Sequence, residues 1–287
     1  MSGILSGTVA GPAGPLTVRR LAATGQRRGT LLFVHGAWSS SWYWEAHFMP
    51  FFAACGFEAV ALDLRGHGDS DGQLGRSTIG DYVADIAAVA ATLADPIIVG
   101  HSMGGLIAQH YAARHPVRGL ALLASVPPWG AWSALWAVIR SSPAKLVACT
   151  LAFDLKPIVA DRDLARRLLF SRGPAERDMD HLFHHLKSES YLAFLGMLFK
   201  RVTRPLPDAV PRFVLGAGRD ALFPEATVRA TARALKTEAR MIADTSHMLT
   251  VEQHWREAAE ALLAWLEDTV IAEPGGAPAG PAAIPKP

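Results

Sequence analysis

The sequence is poor in the features that mark several large classes of protein. Only two cysteines, Cys55 and Cys149, occur in 287 residues, and they lie far apart without the spacing of metal ligands. This argues against a disulfide framework and against a zinc site. We therefore expect two buried, reduced thiols and no bound metal.

An excess of one charge is also missing. The 28 basic and 26 acidic residues leave a formal net charge of +2, and no basic tract stands out along the chain. Proteins that bind nucleic acid usually carry such a tract or patch. The sequence thus predicts no nucleic-acid partner and favours a small molecule instead.

Long uninterrupted hydrophobic runs are absent as well. The most apolar stretch, residues 131–153, is interrupted by Arg140, Pro143 and Lys145. It therefore falls short of the roughly 20 apolar residues that span a bilayer. Residues 1–20 are rich in Gly and Pro and lack the apolar centre of a secretory signal. We predict no integral membrane segment and a cytoplasmic location.

What the sequence does contain is an alternation of short apolar runs and helix-like segments. Five short apolar runs, residues 31–34, 59–62, 97–99, 120–123 and 213–215, indicate buried strands, and residues 240–243 would add one more strand. Helical periodicity covers residues 79–93, 106–114, 226–235 and 252–266. The alternation predicts an α/β fold with a mostly parallel central sheet flanked by helices. Residues 8–10 and 16–21 predict an N-terminal antiparallel hairpin.

The alternation stops between residues 127 and 210, where amphipathic stretches such as 164–170 and 191–199 occur without strand-like runs. We interpret this segment as a helical cap inserted above the sheet. The core then consists of residues 1–126 and 211–271. Residues 272–287, dominated by Pro, Gly and Ala, cannot bury enough apolar surface to order themselves and are expected to form a disordered tail.

The strongest chemical signal is Gly100-His101-Ser102-Met103-Gly104, which follows the strand 97–99 and precedes a helix. This is the strand-turn-helix context of a nucleophile elbow. A serine at so sharp a turn is tolerated only if the flanking glycines lack side chains. Ser102 is accordingly the candidate nucleophile.

A serine hydroxyl needs a base, and the base needs a carboxylate that orients it. His247 follows the predicted strand 240–243 and directly precedes the last helix, so it is the candidate base. Asp220 follows the strand 213–215 and is the candidate acid. Asp244 is its nearest rival, but it precedes His247 so closely that reaching the imidazole from the correct side would be awkward.

A tetrahedral intermediate also requires two backbone donors for its oxyanion. The amide of Met103, directly after the nucleophile, is the first candidate. The second is the amide of Ala37 in the turn after strand 31–34, with Trp38 as the alternative. We expect His35 to hold this turn by hydrogen bonds.

Taken together, residues 35–38, residues 100–105, the Asp220 loop and His247 resemble the α/β-hydrolase superfamily, within it the esterase and lysophospholipase-like branch. The resemblance implies that Arg65 and Asp69, in the turn 63–70, fix a loop rather than act in catalysis. It also implies that the cap carries substrate choice. Serine at the elbow counts against epoxide hydrolases and haloalkane dehalogenases, which carry aspartate there.

The cap segment is dense in aromatic residues, namely Trp129, Trp132, Trp136, Phe153, Phe170, Phe183, Tyr191, Phe194 and Phe199. Two interpretations remain open: most pack the cap onto the sheet, or several line an acyl or aryl pocket. For the second, Trp38, Trp129, Trp132 and Phe194 are the candidate substrate-binding residues.

The sequence thus predicts a serine hydrolase that cleaves a carboxylic ester or thioester of a small apolar substrate through an acyl-enzyme, without metal or organic cofactor. The same triad also serves carbon-carbon bond hydrolases and acyltransferases, and the fold also serves as a non-catalytic ligand receptor. These alternatives stay open at this point, because fold-level likeness does not choose among them.

Overall fold

A computed structural model describes residues 3–171 and 176–271. The described residues form one eight-stranded sheet. Its strands are β1 (Leu5–Gly11), β2 (Gly14–Leu21), β3 (Gly29–Val34), β4 (Phe57–Leu62), β5 (Ile97–His101), β6 (Gly119–Leu123), β7 (Arg212–Ala217) and β8 (Ala239–Ile242). Their order across the sheet is β1-β2-β4-β3-β5-β6-β7-β8.

Twelve α-helices occur in the described residues. They are α1 (Trp42–Glu45), α2 (Phe48–Ala54), α3 (Ile79–Ala90), α4 (Met103–Ala112), α5 (Trp132–Ser141), α6 (Pro143–Ala152), α7 (Lys156–Ala160), α8 (Arg162–Leu169), α9 (Glu176–His185), α10 (Tyr191–Phe199), α11 (Glu225–Ala234) and α12 (Trp255–Trp265). A short 3₁₀ turn, Leu74–Arg76, precedes α3, and a π-helical turn, Leu266–Ile271, continues α12.

The sheet is parallel except at one side, where β1 pairs with β2 and β2 pairs with β4 in antiparallel register. Strands β5 and β6 are buried along their whole length, as expected for parallel strands covered on both faces. Because β3, β5, β7 and β8 run in the same direction, the loops that follow them meet at one edge of the sheet. The candidate catalytic residues lie in those loops.

The predicted α/β fold with a mostly parallel sheet is confirmed. The N-terminal hairpin forms as expected, and the run 240–243 becomes the edge strand β8. Two helices were missed, α1 and α2, which fill the connection between β3 and β4. They are short, and every residue of Phe48–Ala54 is apolar, with five of the seven buried, so the run shows no polar and apolar sides in helical periodicity.

Between β6 and β7, residues 127–210, hereafter the cap segment, contribute helices α5 to α10. Its described residues form no strand, only the isolated bridge between Asp154 and Ser190. The long apolar stretch 131–153 is divided into α5 and α6 at Ser142, because Pro143 cannot continue the preceding helix but suits a first helical position.

A buried polar cluster joins the cap segment to the core. The carboxylate of Glu189 accepts hydrogen bonds from Tyr82 Oη at 3.0 Å and from the Ser190 amide at 2.7 Å, and its other oxygen lies 3.0 Å from His67 Nε2. The second ring nitrogen of His67 lies 3.2 Å from the Arg65 carbonyl oxygen. With an oxygen facing each nitrogen, the ring suits the imidazolium form. Burial lowers the pKa of His67, but the charge and hydrogen bond of Glu189 outweigh it and raise the pKa above its ordinary value.

The turn 63–70 is held by charged side chains, as the resemblance implied for Arg65 and Asp69. The Arg65 guanidinium binds Asp85 on α3 at 2.6 Å and Asp81 at 3.1 Å, while Asp69 pairs with Arg19 on β2. These contacts fix the loop after β4 against its neighbours.

The predicted tail, residues 272–287, lies outside the described residues. Within the described ranges, every helix is too short or too polar to cross a membrane.

Candidate active site

Ser102 occupies the tip of the turn between β5 and α4 with backbone angles φ 52° and ψ −119°. Non-glycine residues rarely adopt such a positive φ, so the surrounding structure must hold it. The Ser102 amide donates to the Leu123 carbonyl at 3.1 Å, and its carbonyl accepts from the Gly105 and Val126 amides at 3.0 and 3.1 Å. Backbone hydrogen bonds to the neighbouring strand and helix thus stabilise the strained turn.

The glycines of the elbow are required by close backbone approach. A Cβ on Gly104 would lie 2.3 Å from the Val34 carbonyl oxygen, and one on Gly100 would lie 2.6 Å from the Gly104 carbonyl oxygen. Both distances are far below van der Waals contact. Only glycine allows the start of α4 to pack this tightly against the end of β3.

His247 faces the elbow from the loop after β8. Its Nε2 lies 3.0 Å from Ser102 Oγ, and its Nδ1 lies 2.9 Å from Asp220 Oδ2. A carboxylate only accepts hydrogen bonds, so the imidazole proton resides on Nδ1 and leaves Nε2 free to accept the serine proton. All three side chains are buried. The structure therefore brings Ser102, His247 and Asp220 together in a single hydrogen-bonded chain.

The second oxygen of Asp220 accepts hydrogen bonds from the amides of Leu222 at 2.8 Å and Phe223 at 3.1 Å. Its carboxylate is thus held in one orientation by its own loop. The rival carboxylate, Asp244, lies on the surface and pairs with Arg219 at 2.6 Å. The imidazole of His247 therefore has Asp220 as its carboxylate partner, whereas the carboxylate of Asp244 faces Arg219.

Two buried side chains hold the His247 loop. Glu252 accepts hydrogen bonds from Thr245 Oγ1 at 3.0 Å and the Ser246 amide at 2.9 Å. His101, in the elbow itself, has its Nε2 2.9 Å from the His247 carbonyl oxygen and stacks on Tyr43. Burial and the neighbouring His247 lower the pKa of His101, so it is a neutral donor that positions the base through its backbone.

The residues proposed from the sequence for the oxyanion site lie beside Ser102. Met103 is the first residue of α4, and the first amides of a helix have no carbonyl partner within it. The turn after β3 approaches from the other side, since a Cβ on Gly36 would lie 2.9 Å from Ser102 Cβ. Ala37 and Trp38 follow in that turn and line the same cavity as Ser102.

His35 fixes the turn after β3, as expected from the sequence. Its Nε2 accepts a hydrogen bond from the Leu64 amide at 3.2 Å, so its proton lies on Nδ1, which donates to the Gly36 carbonyl at 2.8 Å. Burial and the neighbouring His67 lower the pKa of His35 to about 3. It is therefore a neutral structural residue.

An apolar cavity lies above Ser102, between the sheet edge and the cap segment. Its volume, counted as the space open to the centre of a water molecule, is about 50 Å³. Apart from Ser102 its lining is apolar, and it consists of Ala37, Trp38, Val126, Ala131, Ala134, Leu135, Val138, Leu146, Leu155, Ile158, Phe194, Met197, Leu222 and Phe223. Such a cavity suits an apolar group attached to a carbonyl at Ser102.

Two of the four predicted substrate-binding residues, Trp38 and Phe194, line this cavity, whereas Trp129 and Trp132 are not among its lining residues. Trp132 begins α5 with its side chain turned outward, 38% exposed, and its ring packs edge-on against Phe199. The wall that α5 presents to the cavity is instead aliphatic, built from Ala134, Leu135 and Val138.

The sequence analysis missed Phe223, which lines the cavity and packs against the His247 ring at 5.6 Å between centroids. Its position three residues after Asp220 was the available signal, because the turn that holds the carboxylate also directs the next residues toward the base. In the described part of the chain, no group of His, Cys, Asp and Glu side chains is arranged to hold a metal ion.

Comparison with known proteins also points to a hydrolase fold. Residues 31–261 match the family model described as the alpha/beta hydrolase family. The chain is 39% identical to the bifunctional esterase/perhydrolase DCH of Acinetobacter calcoaceticus over 110 residues, which cover 36% of this chain and 40% of that protein. It is 36% identical to the pimeloyl-[acyl-carrier protein] methyl ester esterase of Chromobacterium violaceum over 176 residues, or 57% of this chain and 65% of that one.

Among solved structures, a thermophilic esterase from Thermogutta terrifontis superposes with a TM-score of 0.69 over 94% of this chain and 100% of that one, at 20% identity. This likeness concerns the fold. The matches to the two curated relatives span less than two thirds of the length of either.

Proposed function

The chain belongs to the alpha/beta hydrolase family, and on that premise we propose that it is a serine esterase acting on a carboxylic ester or thioester of a small apolar substrate. The observation that carries the proposal is the chain of hydrogen bonds from Ser102 Oγ through His247 to Asp220, at 3.0 and 2.9 Å, at the base of an apolar cavity. The names of the two relatives, both esterases, agree with this reaction class.

In the proposed reaction, His247 Nε2 takes the proton of Ser102 Oγ as this oxygen attacks the ester carbonyl carbon. Asp220 stabilises the imidazolium that forms and accepts a hydrogen bond from its Nδ1 proton, while the proton taken from Ser102 resides on Nε2. The Met103 amide and the Ala37 amide, or alternatively that of Trp38, donate to the oxyanion; each such donor typically lowers the barrier by about 3–4 kcal/mol.

Collapse of the tetrahedral intermediate breaks the bond to the leaving alcohol or thiol, which receives the proton from His247. The acyl group then remains on Ser102 Oγ. Water, deprotonated by the same imidazole, attacks the acyl-enzyme and releases the acid with a free serine. The apolar cavity holds the acyl or aryl part of the substrate, with Trp38 and Phe194 as the aromatic members of its wall.

The test is a panel of p-nitrophenyl esters from acetyl to palmitoyl, run beside a ring-fission dienoate and an acyl-acceptor alcohol. We expect p-nitrophenol release, with a pre-steady-state burst for esters whose deacylation is slower than acylation, and loss of this activity in Ser102→Ala. Turnover of the dienoate without turnover of any ester would contradict the proposal in favour of carbon-carbon bond hydrolysis. Preferred transfer to the alcohol would favour an acyltransferase.

A further inference from the structure

Large apolar side chains that are exposed to solvent are concentrated on the cap segment. Among the described residues these are Trp132, Trp136, Val147, Leu151, Phe153 and Phe199 on the cap segment and Leu5 elsewhere. Leu151 is 83% exposed, Phe199 66% and Trp136 60%. A concentration of exposed apolar side chains on one segment of a folded protein favours an interaction site there.

Helix α5, which carries two of the exposed residues, has apolar residues both on its inner and on its outer side. On α5, Ala134, Leu135 and Val138 line the active-site cavity, while Trp132 and Trp136, one turn apart, point outward. A helix on the surface of a globular protein normally carries polar residues on its outer side. The outer side of α5 therefore has the composition of a surface that is covered by something apolar.

Ring contacts join exposed residues on α5 and at the end of α6 to α10. The Trp132 ring lies 5.5 Å from that of Phe199, at the end of α10, and the Phe153 ring lies 5.0 Å from that of Tyr191, at the start of α10. Helix α10 itself carries no charged residue. Hereafter the apolar face denotes Trp132, Trp136, Val147, Leu151, Phe153 and Phe199.

The helices that carry the apolar face, α5, α6 and α10, contain no acidic residue, although Asp154 directly follows Phe153 and Asp161 pairs with Lys145. Residues 129–153 and 191–207 contain no Asp or Glu, but they contain Arg140, Lys145, Lys200, Arg201 and Arg204. Arg140 follows Trp136 by one helical turn and so lies on the same side of α5. Lys145 is paired with Asp161 at 3.2 Å, and Arg140 and Arg201 are exposed.

We propose that the apolar face, with its flanking Arg and Lys residues, docks on an anionic lipid surface. Aromatic and aliphatic side chains flanked by cations are the combination that binds the headgroup region of such a surface. A second copy of the chain fits less well, because a two-fold contact would bring the same set of cations against itself. The proposal goes beyond the proposed function and does not depend on it.

The test is co-sedimentation of the full chain with vesicles of phosphatidylglycerol and phosphatidylcholine, compared with pure phosphatidylcholine. We expect binding to the anionic vesicles that weakens as salt is raised. The triple variant Trp136→Ser, Leu151→Ser, Phe199→Ser should bind at least about ten-fold more weakly, because it removes much of the apolar area that enters the layer. Leu5→Ser, on an exposed apolar residue outside the cap segment, is the matched control and should bind as the wild type does.

Removing the cations separately tests the second half of the proposal. Arg140→Gln and Arg201→Gln should each weaken binding to anionic vesicles by about five-fold, whereas Arg233→Gln on α11 should have no effect. If the triple variant does not fold, the single variant Leu151→Ser, at the most exposed of these side chains, replaces it and should also bind anionic vesicles more weakly than the wild type.

Three results would overturn the proposal. They are absence of binding by the wild type, equal binding by the triple variant, and a wild-type dimer in light scattering that the triple variant loses without any vesicle binding. The last result would assign the apolar face to a second copy.

Discussion

The two walls of the active-site cavity are built in opposite ways. At the sheet edge, Ser102, His247 and Asp220 are polar, buried and joined by hydrogen bonds, and each follows the carboxyl end of a parallel strand. The opposite wall, from the cap segment, is apolar and made of helix faces. If the proposed function is correct, hydrogen-bond geometry at the first wall governs the chemical step and side-chain volume at the second governs substrate fit.

The two walls also differ in what attaches them to the molecule. The sheet edge is continuous with the backbone hydrogen bonds of β5, β7 and β8. The cap segment is attached through side-chain and loop contacts, among them the buried Glu189 cluster with His67 and Tyr82. Substitutions at the two walls should therefore change different measured quantities.

The largest effect is expected at the orienting carboxylate. Asp220→Asn keeps the shape but places an amide against His247 Nδ1, which favours the wrong tautomer and should lower kcat by about 10⁴ by analogy with serine proteases. Asp244→Asn is the matched control and should be nearly silent, because its carboxylate pairs with Arg219 at the surface. Ester hydrolysis measures both, and the opposite ranking would move the acid to Asp244.

The next effect concerns stability. Glu189→Ala should lower the free energy of unfolding by about 3–5 kcal/mol, because it leaves His67 buried without its charged partner. The surface pair of His254 and Glu257, at 2.7 Å and half exposed, provides the control. Glu257→Ala should cost less than about 1 kcal/mol. Urea unfolding measures both, and equal losses would show that the Glu189 cluster does not anchor the cap segment.

A smaller effect is expected on substrate length. Each buried methylene contributes roughly 0.8 kcal/mol at most, so kcat/KM should rise several-fold per added pair of carbons until the cavity is full, at medium chain length, and then fall. Ala134→Leu adds three carbons to the cavity wall and should move the optimum to shorter chains. Ala144→Leu, the same change at an exposed position on α6, should leave it in place. A flat profile would mean that the cap wall does not select the acyl group.

The smallest expected effect is a pH dependence of the stability that the buried Glu189 cluster contributes. His67 faces Glu189, with Asp63 and the neutral His35 nearby, and its pKa is raised in the folded chain. Because the pKa of His67 is higher in the folded chain than in the unfolded one, its charge stabilises the fold fully at a pH below the unfolded pKa of about 6.5. This stabilisation is lost as the pH rises through the folded pKa. The stability difference between wild type and Glu189→Gln should therefore shrink from pH 6 to pH 9. Thermal unfolding measures it, and a difference that grows with pH would contradict the assignment.

The positions at the sheet edge could be predicted from sequence because each one depends on local order along the chain. Ser102 lies in a glycine-flanked turn after an apolar run, and Asp220 and His247 each follow a later predicted strand. In a parallel sheet, the ends of such runs meet at one edge. The order of residues along the chain was therefore enough to bring three distant side chains together as candidates.

The cap wall could not be predicted in the same way. Helix faces are assigned from periodicity, but α5 and α10 are apolar on more than one side, so the pattern does not tell the inner face from the outer one. For this reason Trp132 was expected in the pocket and lies outside it. Glu189 was missed because a single carboxylate in a polar stretch resembles any solvated residue until its partners from the core are known.

The most direct measurement is the reaction of the folded chain with a fluorophosphonate, followed by mass spectrometry of the intact chain and its peptides. If His247 activates Ser102, one equivalent of phosphonate should attach at Ser102, and Ser102→Ala and His247→Ala should both remain unlabelled. A folded wild-type chain that is not labelled, or that is labelled equally in Ser102→Ala, would contradict the assignment of Ser102 as an activated nucleophile and favour a ligand receptor on this fold.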